Sequence, residues 1–396
     1  MSCEMLFSIF AAPKVDEVAA DLRQLGVQAW QALIEAALLH KCAPMLLERL
    51  RQWDFLEHVP DPIRRRLAQI TFSNAARNLK RYSDLDQLSA ALGAATPVIV
   101  LKGGRLARTH YRNISLRTMV DVDVLARPEH LSQVAERLTT LGYKRVETRS
   151  APRYVELIHD ISYRRDGLTI ELHRSLLNAG DPFSIDYEGI WKRAIPAGKE
   201  GCFYFSAEDQ LVHLCLHAAY HHKLTIGLYA FIDIGLMCSD MALDWQRLVE
   251  RAQSWRAERC VFLALKMAEQ LVGAPVPAGV VRDLQPPDFK VEMLRKAADT
   301  IRLTMNNEAA GRFANTLAWY MTIDAWRRLP YTLQRRFLDP LEHRSRWSTA
   351  EDATWLAQLR PLLYGTAQLL YSRRQWQLVH AHILGTRLSR WMERPL

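Results

Sequence analysis

The alternating segment at residues 120–124 (Val-Asp-Val-Asp-Val) can separate its apolar from its acidic side chains only as a β-strand. Successive side chains of a strand point to opposite faces, so we expect the valines to enter a core while Asp121 and Asp123 project together. Two carboxylates held this close raise each other's pKa unless a cation lies between them, and hard oxygen ligands of this kind suit Mg²⁺. Asp-x-Asp pairs also occur in solvated loops and strand ends, so the pair alone leaves both interpretations open.

A glycine turn precedes the acidic pair. The β-branched run at 97–101 (PVIVL) predicts a short strand, Gly103 and Gly104 break it, and residues 105–111 can form one or two helical turns. Backbone N–H groups and the positive end of the helix dipole stabilise a phosphate at such a turn, and Lys102 adds a point charge. An ordinary tight turn between a strand and a helix fits the same pattern.

A third carboxylate lies in the alternating segment Leu168–His173, where Glu171 and His173 share one face. Asp166-Gly167 predicts a two-residue hairpin that joins this strand to residues 158–163. In a two-metal nucleotidyl transfer site, a pair of carboxylates bridges both ions, and an acid on a neighbouring strand binds the ion that activates the attacking hydroxyl. Glu171 suits that role, although a solvated glutamate on an exposed sheet face is the alternative.

The order of these segments resembles that of the uncharacterised nucleotidyltransferase family, within the polymerase-β-like superfamily. The resemblance covers roughly residues 20 to 255. It rests on Leu101-Lys102-Gly103-Gly104, Tyr111, Arg117, residues 121–125, Leu141-Gly142-Tyr143, His159 and residues 170–173, and continues through residues 191–194, 211–222, 231–234 and 244–245.

This resemblance implies an enzyme that moves a nucleoside monophosphate from a nucleoside triphosphate to a hydroxyl or phosphate acceptor and releases pyrophosphate. Gly103 and Gly104 match the phosphate-contacting turn, and the catalytic, metal-binding triad matches Asp121, Asp123 and Glu171. The implied cofactor is Mg²⁺ or Mn²⁺. The chain departs from the wider superfamily because Gly104 stands where serine is common, and because the linker from the glycines to Asp121 is longer.

Two further residues join the predicted nucleotide-binding set. Arg117 matches an arginine of the family pattern and can contact a triphosphate oxygen in bidentate fashion, unless it is a surface arginine. His173 shares the face of Glu171, where it can bind a nucleotide, orient a carboxylate, or serve as a structural histidine inside the sheet. The predicted set is Lys102, Gly103, Gly104, Arg117 and His173.

Three histidines recur every four residues on a helix predicted to begin near residue 206: His213, His217 and His221. Such spacing can bind zinc, but no acidic residue lies within the His-x-x-x-His interval and no cysteine pair completes a tetrahedral set. We therefore favour contact with substrate or nucleotide. Asp233, in an apolar helical run, is predicted to be either an acid near a helix cap or a buried partner of a basic side chain.

Charge and cysteine usage limit the partners and the compartment. The net charge of +9 favours an anionic ligand, which can be a nucleoside triphosphate, a phosphorylated metabolite, nucleic acid or an acidic membrane surface. The 6 cysteines are scattered without a Cys-x-x-Cys pair, which fits a reducing compartment. No secretory signal and no apolar run of membrane-spanning length is recognisable, so we expect a cytoplasmic protein without a transmembrane segment.

The family resemblance implies an α+β chain with a small mixed β-sheet and flanking helices, the polymerase-β-like nucleotidyltransferase core. Hydrophobic periodicity predicts helical N- and C-terminal regions on either side of it. The predicted divisions are a helical region at 1–93, a catalytic core at 94–205, a helical region packing on the core at 206–274, and an Arg/Trp-rich helical region at 275–396.

The C-terminal region allows more than one function. Its basic side chains are all arginine after Lys296, and its tryptophans are Trp319, Trp326, Trp347, Trp355, Trp376 and Trp391. This composition fits single-stranded nucleic acid as a partner, or a helical bundle with a tryptophan core. A small-molecule or protein acceptor is favoured; a nucleic-acid-directed nucleotidyltransferase, an RNA- or DNA-binding protein, and a non-catalytic module of the same fold are the alternatives.

Overall fold

One mixed sheet organises the part of the chain described by the computed structural model, which is residues 2–146, 159–178, 180–304, 388 and 391–394. Its seven strands are β1 Val98–Val100, β2 Val122–Ala126, β3 Lys144–Arg145, β4 Asp160–Arg165, β5 Leu168–His173, β6 Ile195–Pro196 and β7 Cys202–Tyr204. They lie in the order β3-β4-β5-β2-β1-β7-β6.

The central strands combine both pairing directions. β2 is antiparallel to β1 and parallel to β5, and β5 is antiparallel to β4. The parallel register places Asp123 of β2 directly beside Glu171 of β5. The α+β class is therefore confirmed in its general form, and two of the three candidate acids, Asp123 and Glu171, lie on neighbouring strands.

The predicted hairpin between β4 and β5 is present. Asp166 and Gly167 connect the strands with positive φ angles of 47° and 76°, the left-handed conformation that a tight two-residue hairpin turn requires. Leu168, Ile170 and Leu172 are buried on one face, as the alternation predicted. Glu171 consequently points to the opposite face.

The prediction for the valines of segment 120–124 is partly wrong. Val122 and Val124 are buried, but Val120 is 53% exposed and precedes β2. The reason is that β1 gives way to a helix after Leu101, whose N–H donates to the carbonyl oxygen of Asp123. Val120 therefore has no β1 partner on that side, and its side chain is not held in the core.

Helices pack around this sheet. Those before it are α1 Ser2–Ala11, α2 Ala19–Arg23, α3 Val27–Leu39, α4 Ala43–Gln52 and α5 Asp61–Leu92; those within or after it are α6 Lys102–Thr109, α7 Leu131–Thr140, α8 Tyr187–Arg193, α9 Ala207–Leu216, α10 Tyr229–Cys238, α11 Trp245–Ser254, α12 Glu258–Val272, α13 Ala278–Leu284 and α14 Glu292–Thr304. Short 3-10 turns occupy Val15–Glu17, Leu56–His58 and Pro128–His130. A π-helical turn, His217–His221, continues α9.

The long helix α5 departs from the simple apolar pattern. Leu67 is buried, but Leu79 is 60% exposed. In this part of α5 the buried face is polar instead, with Asn74, Asn78 and Arg81 at positions i, i+4 and i+7. The predicted helical N-terminal region is thus present, but between residues 74 and 81 the buried side chains at helical spacing are polar.

The ends of the chain are described only in part. No helix among the described residues is both long and apolar enough to cross a lipid bilayer. Of the C-terminal tryptophans only Trp391 is described; it is buried, with the Arg259 guanidinium 5.0 Å from its ring centroid. The other five lie outside the described residues, and the four domain divisions stay a prediction.

A close backbone contact links the N-terminal helices to α10. His40, at the end of α3, accepts the Tyr229 N–H through its carbonyl oxygen at 3.2 Å and the Leu228 N–H through Nδ1 at 3.1 Å. A Cβ added to Gly227 would lie 2.8 Å from that carbonyl oxygen. This contact leaves no room for a side chain at residue 227.

We therefore expect Gly227→Ala to lower the free energy of unfolding by about 1–3 kcal/mol, because the added methyl forces two backbone segments apart. Chemical denaturation measures the change. Gly279→Ala, in α13 with only the tip of Arg282 within 4 Å of the added Cβ, is the matched control and should leave stability unchanged or slightly raised. Equal unfolding midpoints for the two variants would contradict the packing argument.

Candidate functional site

Three side chains form a compact cluster on the central strands. Ligand atoms of Asp123, Glu171 and His173 all lie within 4.8 Å of one another. His173 Nε2 lies 2.8 Å from Asp123 Oδ1. Because a carboxylate only accepts, this nitrogen carries the proton and donates. Asp121, predicted to bind metal together with Asp123 and Glu171, lies at the same cavity but outside this cluster.

The carboxylates do not share one electrostatic state. Burial raises the pKa of Glu171 to about 8, and the neighbouring Asp123 and Asp121 add to that shift. Burial, followed by Asp123, also raises the pKa of Asp121. Burial opposes the charge of Asp123 too, but Lys102 and His173 outweigh it and hold the pKa low. The cluster therefore carries repulsion that an added cation would relieve.

Lys102 lies against this cluster. Its Nζ donates to Asp123 Oδ1 at 2.8 Å and lies 3.2 Å from His217 Nε2. Lys102 is the first residue of α6 and has a φ of 44°, the left-handed region that non-glycine residues rarely adopt. The turn between β1 and α6 thus aims a buried ammonium at the acids.

The two predicted glycines have different surroundings. Gly103 borders the cavity, and an added Cβ there would lie 3.2 Å from Met119 Cγ. Gly104 packs behind it: its N–H donates to the Leu101 carbonyl oxygen at 3.1 Å, and an added Cβ would lie 2.7 Å from Val100 Cγ1. Gly103 can face a ligand, whereas Gly104 lets α6 approach β1 closely.

Arg117 is buried and paired, so the surface-arginine alternative is wrong. Its Nε and Nη2 donate to both carboxylate oxygens of Asp233, at 2.7–3.0 Å. Tyr111 Oη donates to the same carboxylate at 2.7 Å, and the guanidinium lies 4.4 Å from the Tyr229 ring centroid. Asp233 is therefore the buried partner of a basic side chain, one of the two predicted roles, and Arg117 has its bidentate contact with this protein residue.

Histidines form the wall facing the acids. His217, His221 and His222 line the cavity, with the rings of His217 and His221 stacked 5.6 Å apart. Burial lowers the pKa of His221 to about 2 and that of His222 to about 4, which keeps both rings neutral. His213 is buried one turn earlier. Within the described residues these histidines do not form a metal-ligand group.

Sequence reasoning missed the support of the segment that leads into Asp121. From the buried polar face of α5, Asn74 Nδ2 donates to the carbonyl oxygens of Ser115 and Arg117, at 2.7 and 3.1 Å. Asn78 Nδ2 donates to those of Ile114 and Arg117, at 2.6 and 2.8 Å, and Arg81 Nη2 to that of Val120 at 3.1 Å. The signal was available, because these residues recur at helical spacing where a core-facing helix would carry apolar side chains.

Lys41 was also missed. It follows α3, has a φ of 53°, and reaches the cavity with its Nζ 5.3 Å from the Tyr229 ring centroid. No nearby motif marks this lysine, because its approach depends on how the N-terminal helices pack against α10.

The cavity itself has a volume of about 290 Å³. Its lining includes Asp121, Asp123 and Glu171 on the sheet side, and also Lys41, Lys102, Arg117 and the histidine wall. A small space that combines carboxylates with lysines suits a ligand carrying both phosphates and divalent cations.

Comparison with known families agrees with the resemblance found in the motifs. The model of the family described as "Uncharacterised nucleotidyltransferase" matches residues 27–273, more than half of the chain and all of the cavity. No curated protein and no solved structure matches the chain. The family match and the acids gathered at the cavity agree, and the chain belongs to the uncharacterised nucleotidyltransferase family.

Proposed function

We propose that the protein is a metal-dependent nucleotidyltransferase, which moves a nucleoside monophosphate from a nucleoside triphosphate to a hydroxyl or phosphate group and releases pyrophosphate. The observation that carries the proposal is the parallel pairing of Asp123 with Glu171 beside the cavity that Asp121 also lines. Family membership supports nucleotidyl transfer in general. The small cavity favours an acceptor group on a small molecule or protein over a nucleic-acid duplex.

The donor set fits Mg²⁺ or Mn²⁺. Asp121, Asp123 and Glu171 offer the hard carboxylate oxygens that these ions prefer, and their mutual repulsion favours a cation between them. When bound, a divalent ion neutralises phosphate charge and lowers the pKa of an attacking hydroxyl. His173 donates to Asp123 and so fixes the orientation of that carboxylate.

The remaining lining residues suit the nucleotide and the acceptor. Lys102, Gly103 and Lys41 border the cavity and can contact the triphosphate through ammonium groups and a backbone turn. Arg117 also borders the cavity, where it holds Asp233 and lies against the Tyr229 ring. The neutral imidazoles of His217, His221 and His222 can hydrogen-bond or stack against the nucleotide or acceptor. Catalysis then comes from positioning and charge neutralisation, without a covalent intermediate.

Replacing the central acid tests this proposal. Purified protein with Mg²⁺ and each nucleoside triphosphate labelled at the α-phosphate should transfer label to a component of a cell lysate. Asp123→Asn should reduce transfer by more than about 100-fold, because second-shell changes alone cost about 10–100-fold at metal sites. Thin-layer chromatography and gel autoradiography report whether label enters small molecules, protein or RNA.

Asp16→Asn, a change at an exposed acid outside the cavity, is the control and should keep full activity. Label in RNA would favour the nucleic-acid-directed alternative. Failure of the wild-type protein to bind or consume any nucleoside triphosphate with Mg²⁺ would favour a non-catalytic module and refute the proposal.

The polar face of α5 provides a second test. Asn78→Asp preserves side-chain shape but replaces the NH₂ donor with an acceptor facing two carbonyl oxygens. We expect a loss of about 1–3 kcal/mol of stability and, because the segment leading to Asp121 shifts, a rise in the Mg²⁺ concentration that gives half-maximal activity.

Titrating Mg²⁺ against transfer rate measures that second effect at a temperature where the variant remains folded. Leu79→Asp, one residue further along on the exposed face of α5, is the matched control. An unchanged Mg²⁺ requirement in Asn78→Asp would limit the role of this helix to stability.

A further inference from the structure

Lys102 occupies a place where the proposed function, on which this inference rests, would put a divalent ion. Its ammonium donates to Asp123 Oδ1 at 2.8 Å, and the two side chains are only 13% and 5% exposed. Its field also reaches Asp121 and Glu171, since both carboxylates stabilise its charge. The Lys102 ammonium therefore interacts with all three candidate metal ligands.

Asp123 Oδ1 has no acceptor site to spare in this arrangement. A carboxylate oxygen offers two lone pairs, and Oδ1 accepts from Lys102 Nζ and from His173 Nε2, both at 2.8 Å. A divalent ion binds such an oxygen at about 2.0–2.6 Å. An ion on Oδ1 would thus compete with one donor for a lone pair and would lie in close, repulsive contact with the ammonium.

The two side chains that donate to Asp123, those of His173 and Lys102, differ in how freely they can move away from it. His173 lies within β5, is 2% exposed and is held by the strand ladder between β2 and β4. Lys102 has a flexible four-carbon stem and borders the cavity. It also has a second partner in place, because His217 Nε2 lies 3.2 Å from Nζ. Lys102 is the donor that can move.

The backbone of Lys102 keeps this movement local. Leu101 is tied to Asp123 by a backbone hydrogen bond of 2.9 Å, and Lys102 adopts its left-handed φ at the first position of α6. The Cα is thereby fixed near the acids while the side chain swings. A short swing takes the ammonium from Asp123 into the cavity, where the triphosphate is proposed to bind.

We propose that Lys102 is a built-in counter-ion of the metal site: it neutralises Asp123 in the metal-free protein and leaves when a divalent cation binds. Binding of the metal ion and release of the Lys102 ammonium toward the phosphates are then coupled events. Asp123 has a cationic partner in both states, and the lysine is released toward the triphosphate only after the metal has entered.

Metal binding without nucleotide tests the exchange. Mn²⁺ affinity, measured by electron paramagnetic resonance of the free ion, should become at least about tenfold tighter in Lys102→Met, because the competing cation is gone. Lys80→Met, a change at an exposed lysine of α5, is the matched control and should bind Mn²⁺ like wild type. Asp123→Asn in either background should abolish the tight site.

The outcomes separate this inference from the proposed function. Equal or weaker Mn²⁺ binding by Lys102→Met overturns the counter-ion role while leaving the metal site in place. If neither wild type nor Lys102→Met binds Mn²⁺, the metal-dependent function fails and the inference with it.

A measurement on wild-type protein avoids dependence on the folding of a variant. Without metal the Lys102 ammonium is held on Asp123, so its acetylation by acetic anhydride should be slow relative to that of the exposed Lys290. Saturating Mg²⁺ should raise the extent of Lys102 acetylation, relative to that of Lys290, at least about threefold, because the ammonium is released from Asp123. Mass spectrometry of the peptides measures this ratio. An unchanged or lower ratio contradicts the exchange.

Discussion

The mutual repulsion of buried carboxylates is the constraint around which this site is built. Parallel pairing of β2 and β5 places Asp123 beside Glu171, and Asp121 approaches the same cavity. Low-dielectric surroundings make such repulsion costly. Lys102 and His173 offset it at Asp123, while Glu171 and Asp121 respond with raised pKa values. A cation bound between these acids would lower their repulsion and so stabilise the folded protein.

The helical N-terminal region is part of this site. Part of the buried face of α5 consists of Asn74, Asn78 and Arg81. These side chains donate hydrogen bonds to carbonyl oxygens of the segment that leads to Asp121. A segment of this length carries backbone groups that need partners when buried. The part of the long linker that follows α6 is thus held by side chains of α5 that lie 36–43 residues earlier in the chain.

Residues of the family pattern divide into two kinds. Asp121, Asp123, Glu171, Lys102 and Gly103 border the cavity and can meet a ligand directly. Gly104 serves the packing of α6 on β1, and Arg117 also borders the cavity but directs its guanidinium to Asp233, which accepts from Tyr111 as well. A match to the family motif therefore does not distinguish a side chain that is open to a ligand in the cavity from one that supports the cavity wall.

The sequence alone determined the local features: the alternation of β5, the Asp166-Gly167 hairpin, the helices and the candidate acids. These depend on side-chain period and on turns between neighbouring residues, which a sequence displays directly. Only the tertiary structure decided that Lys102 meets His217, that Arg117 is neutralised by Asp233, and that Lys41 reaches the cavity. Lys102 and His217, and likewise Arg117 and Asp233, are separated by more than 100 residues of chain. Contacts at that range are set by packing of the whole core, because no local backbone preference brings such distant residues together.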